Sequence, residues 1–121
     1  MGLDMYAYVA SKAGSRWDTA ESEQRELAYW RKHPNLHGWM EELYRARGGD
    51  AEMFNGVEVE LTWEDLEDLE TNILHSNLPN TRGFFFGDNA DEYYREQDLR
   101  FIREARAEIF TGLRVFYNSS W

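Results

Sequence analysis

Tyr29-Trp30-Arg31-Lys32-His33-Pro34-Asn35-Leu36-His37-Gly38-Trp39-Met40-Glu41-Glu42-Leu43-Tyr44 holds two of the chain's three histidines and a compact basic pair, and it marks a helix start. Pro34 fits the first turn of a helix, where its missing N–H costs nothing. From there Leu36, Trp39, Met40, Leu43 and Tyr44 fall at i, i+3, i+4, i+7 and i+8, one apolar stripe. Gly48-Gly49 stops it. Gly38 inside this helix costs about 1 kcal/mol relative to Ala, so its presence predicts close packing at that point. Upstream, Leu27 to Lys32 fits strand and helix equally well.

Working outward, Met5, Ala7 and Val9 alternate with Tyr6, Tyr8 and Ala10, the two-residue period of a strand. Ser11 to Ser15, with Gly14, breaks that strand, and residues 15–26 read as a loop or a short helical lead-in. Downstream, Phe54-Asn55-Gly56 reads as a turn into an alternating strand, Val57-Glu58-Val59-Glu60-Leu61. Thr62 with Asp65 resembles a capping box, and Glu64 and Asp65 suit the positive end of a helix dipole. That helix buries Leu66, Leu69 and Ile73, with Trp63 and Leu74 as further core candidates, and is stopped by Asn77-Leu78-Pro79-Asn80. Gly83-Phe84-Phe85-Phe86-Gly87 reads as a short central strand, apolar on both faces. Asp88-Asn89 can cap a last helix with a core stripe of Leu99, Ile102, Ala105, Ile109 and Phe110. Arg95, Arg100, Arg103 and Arg106 then face water. Gly112 ends the helix, and Leu113 to Tyr117 form a final strand.

The helices differ greatly in length, and only the Phe-rich strand has the continuous apolar character of a doubly covered sheet. That favours α+β over a parallel α/β arrangement. The expectation is a single domain, residues 1–121, with about three helices packed on one face of a four-stranded, mostly antiparallel sheet. One core suits this length.

Charge is distributed unevenly. The net charge is −10, yet residues 50–92 carry twelve acids against one base, Arg82, so that block is −11 and the remainder +1. Free nucleic acid is not an expected partner, because phosphate binding needs Lys and Arg in excess. The chain has no cysteine, which excludes disulfides and thiolate metal sites. No signal-peptide pattern and no 18-residue apolar run is present, so the expected setting is the cytoplasm, with no membrane partner.

Several clusters are candidates for chemistry. His33 and His37 are four apart, a spacing that puts two imidazoles on one helical face for a metal. Pro34 follows His33, however, so the zinc-peptidase pattern is absent and His33 falls before the helix. A packed or hydrogen-bonded histidine pair accounts for them better than a metal. Trp30-Arg31-Lys32 reads either as a cation set beside an aromatic ring for an anionic ligand or, the favoured reading, as a half-buried strand or helix turn with solvated bases. The glycines of 83–87 lack the spacing of a phosphate-cradling loop. Asp88, Asp91 and Glu92 suit a metal or acid–base role and equally a helix N-terminus. No nucleophile–base pair, metal cluster or cofactor loop stands out, so no cofactor is expected and binding is favoured over catalysis. The acidic helix, with Glu64, Asp65, Glu67, Asp68 and Glu70, reads either as a solvated face or as a row imitating nucleic-acid phosphates to fill a basic groove.

The opening Met1-Gly2-Leu3-Asp4-Met5-Tyr6 and the Tyr29-Trp30-Arg31-Lys32…Leu36-His37-Gly38-Trp39 stretch, with Gly83-Phe84-Phe85-Phe86-Gly87 and the closing Phe116-Tyr117-Asn118-Ser119-Ser120-Trp121, are distinctive in order. Together they resemble a family of small bacteriophage and prophage proteins, over nearly the whole chain. That family brings no assigned activity and no catalytic residues. A phage setting implies inhibitors of host defence, anti-CRISPR proteins among them, acting in the host cytoplasm. Two expectations follow. The first is a protein-binding inhibitor that engages a basic site on a host protein through its acidic 50–92 surface. The second is a small-ligand, nucleotide or metal binder, or a small enzyme, with a pocket built from Asp4, Tyr29, Arg31, His33, His37 and Tyr94.

Overall fold

The computed structural model describes residues 2–10, 24–83 and 86–121. Strands β1 (Asp4–Ala10) and β2 (Arg25–Arg31) are followed by helix α1 (Pro34–Ala46), strand β3 (Val59–Leu61), helices α2 (Trp63–Leu74) and α3 (Asp91–Phe110), and strand β4 (Arg114–Ser120). The strands form one antiparallel sheet in the order β2-β1-β4-β3, a single small α+β domain. No described helix is long and apolar enough to cross a membrane.

Side-chain alternation divides the sheet into two faces. Met5, Ala7 and Val9 lie beside Trp30 and Ala28 on one flank and Ser119, Tyr117 and Val115 on the other. Val59 and Leu61 extend the same face, which is buried under the helices. The opposite face carries Tyr6, Tyr8, Tyr29, Arg31, Phe116, Asn118 and Glu60. Between Ala7 and Tyr8 the register skips Leu27, so β2 takes a two-residue step against one on β1. This bulge makes Leu27 the extra residue and keeps Glu26 on the face of Tyr8.

Three differences from the sequence expectations have physical causes. The ambiguous 27–32 stretch is the edge strand β2, where pairing with β1 decides what propensity does not. The strand expected over 83–87 is absent at its described positions: Phe86 donates its N–H to Gly83 at 3.1 Å and belongs to a turn. Phe84 and Phe85 lie outside the described residues, as do residues 15–23 of the loop or helical lead-in expected over 15–26; its last two residues, Arg25 and Glu26, belong to β2 instead. Phe86 is apolar for another reason, because it plugs the core edge-on against His37 and Trp121. On α3 the buried stripe is Tyr94, Asp98, Phe101, Ile102 and Ala105, while Phe110 is 75% exposed.

The helix ends follow local chemistry. Thr62 and Asp65 exchange both capping-box bonds at the start of α2. Asn89 Oδ1 accepts from the Asp91 N–H at 2.9 Å and serves α3 from one residue before its cap. At the other end Leu113 N–H donates to Glu108 C=O and Gly112 N–H to Ile109 C=O. Gly112, at φ +97, makes this reversal possible. The first seven residues of α1 are all buried. Gly38 packs so tightly on the 79–82 segment that a Cβ there would lie 1.8 Å from Thr81 Oγ1.

Candidate functional site

A chain of polar contacts runs from the sheet surface into the core around the turn at Lys32. On the surface, Asp4 Oδ1 accepts from the Tyr29 hydroxyl at 2.6 Å and from Arg31 at 2.8 Å. The Tyr29 hydroxyl, with help from Arg31, holds the Asp4 carboxyl below its usual range, while the same bond raises Tyr29. Beneath this group, the Tyr94 hydroxyl accepts from the Arg31 N–H and donates to the Arg31 carbonyl, both at 2.9 Å. Gln97 donates to the Tyr29 carbonyl at 2.6 Å. These two α3 side chains occupy backbone groups on the outer edge of β2, an edge that would otherwise be open to another strand.

Deeper in, the His33 ring stacks on Tyr94 at 5.0 Å and its Nε2 lies 2.8 Å from Asp98 Oδ2. Trp30 Nε1 donates to the other oxygen, Asp98 Oδ1, at 2.8 Å. Burial pushes the Asp98 carboxyl up, against the opposing pull of His33 and Trp30. His33 Nδ1 is 3.9 Å from Asp91 Oδ1, and neither atom has a hydrogen-bond partner among the described residues. Asp91 is steadied by Asn35 Nδ2 at 3.1 Å, and Asn35 Oδ1 accepts from the Thr81 N–H.

His37 occupies a different environment. It is fully buried, ringed by Phe54, Phe86 and Tyr117, with Nδ1 2.6 Å from the Tyr117 hydroxyl. Burial lowers its pKa to about 4 and raises that of Tyr117. The two histidines thus serve separate partners, Asp98 and Tyr117. Of the six residues expected to share a pocket, Asp4, Tyr29 and Arg31 meet at the surface. His33 and Tyr94 stack just below them, and His37 stands apart. No group of three or more His, Cys, Asp or Glu among the described residues is placed to hold a metal.

The acidic helix faces outward. Leu66, Leu69 and Ile73 turn inward, leaving Glu64, Glu67 and Asp68 exposed with no cationic partner among the described residues. Asp65 is engaged by Arg47 as well as by the capping box, and Glu70 meets Arg106 at 2.5 Å. Trp63 and Leu74, the two core candidates at the ends of α2, are 37% and 49% exposed. They stand about 16 Å apart along the axis, with the free carboxylates between them. Arg106 lies over the Trp63 ring, and the exposed Phe110 follows one turn later on α3.

Sequence reasoning missed Asp98, the acceptor that joins β2, the start of α1 and α3. Its signal was an acid four residues from both Tyr94 and Ile102, inside an apolar helical stripe. It also missed Tyr117 as the partner of His37, since a residue 80 positions away leaves no local trace.

Comparison with known proteins adds no relative: no protein-family model, no curated protein and no solved structure matches the chain.

Proposed function

We propose that this protein is a binding module that occupies a basic site on a partner protein with the outer face of α2. The observation that carries this reading is the arrangement of Glu64, Glu67 and Asp68. They are exposed, with no cationic partner among the described residues, between two partly exposed apolar side chains of α2, Trp63 and Leu74. Free carboxylates steer and select a cationic partner, and exposed apolar groups at the ends supply the desolvated contacts that hold it. Asp65 and Glu70 act as the frame of this face, since Arg47 and Arg106 already hold them.

The likeness of the sequence motifs to small phage proteins supports a host protein as the partner and inhibition as the outcome, including the anti-defence and anti-CRISPR classes, within the host cytoplasm. Free nucleic acid is not proposed as a ligand of this face, because like charges repel. The alternative small-ligand site has less behind it. Asp4, Tyr29 and Arg31 satisfy one another, and His37 is enclosed by aromatic rings away from them.

Affinity capture from host lysate tests the proposal, using wild type and the variant Glu64→Lys, Glu67→Lys, Asp68→Lys. The expected result is a specific protein held by wild type and lost from the variant, with both equally folded by circular dichroism. Equal capture by the folded variant contradicts the proposal.

A further inference from the structure

The outer face of α2 differs from one flank to the other, and that difference bears on what can seat there. Trp63, Glu67, Glu70 and Leu74 fall at i, i+4, i+7 and i+11, a single stripe along the helix. Arg106 of α3 fixes its direction: the guanidinium lies 5.9 Å from the Trp63 ring centre and pairs with Glu70, so the stripe borders α3. Phe110, one turn beyond Arg106, adds a third exposed apolar side chain near the Trp63 end. Glu64 and Asp68 lie about 100° further round α2, on the crest and the flank away from α3.

Charge follows the same division. Arg47 and Arg106, the cations that reach α2 side chains among the described residues, are held by Asp65 and Glu70. Glu64, Glu67 and Asp68 keep no cationic partner among the described residues. On the α3 side Arg103 is exposed and has no acidic partner among them. A seated segment therefore meets apolar side chains and a cation on one flank, and free carboxylates on the other.

Backbone chemistry separates a helix from a strand as the occupant. An extended segment gains affinity by adding to a sheet edge. Here Tyr94 and Gln97 take up backbone groups of Arg31 and Tyr29 on the edge strand β2. Arg47 donates to the Glu60 carbonyl on the short edge strand β3. α2 itself offers no ladder, so a segment lying along it must satisfy its own backbone, as a helix does. The span of about 16 Å from Trp63 to Leu74 matches three turns of such a helix.

We infer that the outer face of α2 seats a basic amphipathic helix of the partner protein. Its apolar stripe packs against Trp63, Leu74 and Phe110, and its Lys and Arg residues reach Glu64, Glu67 and Asp68 on the flank away from Arg103. This inference rests on the binding face proposed above and specifies what occupies it.

NMR titration of the full chain tests it with a designed peptide of about fifteen residues, apolar at i, i+4, i+7 and i+11 with lysines along one side of that stripe. The controls are the same peptide with its two central residues in the D form, which keeps charge and composition but breaks the helix, and a version with glutamate for each lysine. The helical basic peptide should shift the Trp63, Leu74 and Phe110 signals saturably. The broken peptide should bind at least about tenfold more weakly, and the acidic one not at all. Leu74→Ser and Phe110→Ser, both at exposed positions, should each weaken binding about fivefold. Equal binding of the intact and broken peptides, lost in the triple-lysine α2 variant, overturns the helix and leaves the basic-site reading standing. No saturable shift with the helical peptide, or unchanged affinity in both serine variants, also overturns the inference, while capture from lysate decides the broader reading separately.

Discussion

His33 Nε2 lies 2.8 Å from Asp98 Oδ2, with both residues out of contact with solvent. The same carboxylate accepts from Trp30, so a single acid ties β2 and the start of α1 to α3. Asp98→Ala strands two buried donors at once and is expected to cost about 3–5 kcal/mol. Asp98→Asn keeps one acceptor oxygen and should cost less. Urea denaturation of both variants measures the difference, and equal stabilities would contradict the two-donor account.

His37 gives the fold an acid sensitivity with a defined window. Its pKa falls from the ordinary 6.5 to about 4 on burial. Between these values the unfolded chain binds a proton that the folded chain refuses, so stability falls as pH drops from 6.5 towards 4. The contribution is about 3 kcal/mol. It should disappear in His37→Gln, which does not titrate, leaving a flatter pH profile over that window. A wild-type slope retained in this variant would place the effect elsewhere.

Gly38→Ala should destabilise the protein although alanine favours helices by about 1 kcal/mol. The added Cβ would meet Thr81 Oγ1 at 1.8 Å and Thr81 Cβ at 2.8 Å, so α1 and the 79–82 segment must part. An expected net loss of about 1–3 kcal/mol follows from overpacking. Thr81→Gly in the same chain should recover most of it, as a double-mutant cycle measures.

Thr62→Ala removes the oxygen that accepts from the Asp65 N–H and breaks the reciprocal box. A loss of about 1 kcal/mol is expected. It should show as faster amide exchange in the first turn of α2, with α3 unaffected.

Much of the fold was legible because local rules decide it. The alternation of Met5 to Val9, the stripe from Leu36 to Tyr44 and the capping box at Thr62 each fix an element without help from the rest of the chain. Gly38 even announced its close contact. Legibility ended where partners are distant. β2 has a mixed pattern because it is an edge strand with a bulge at Leu27, capped by Tyr94 and Gln97 from α3. Phe86 mimicked strand residues because a turn that plugs a core needs the same apolar side chain as a buried strand. Asp98 broke the stripe of α3 and was passed over, since its two donors lie 65 and 68 positions away. The acidic face was visible as composition. Pairing of Asp65 and Glu70 within the fold was not, and that pairing is what narrows the face to Glu64, Glu67 and Asp68.

The most direct test of the binding face is site-specific photo-crosslinking from Thr71, which lies one turn beyond Glu67 and Asp68 on the exposed side of α2. A crosslinker at Thr71 should trap a host protein, and heparin, a polyanion that competes for basic sites, should abolish the product. The same crosslinker at Asn118, across the sheet, should not trap that protein. A product at Thr71 that survives heparin, or one formed equally from Asn118, would contradict a docking face made by the carboxylates of α2.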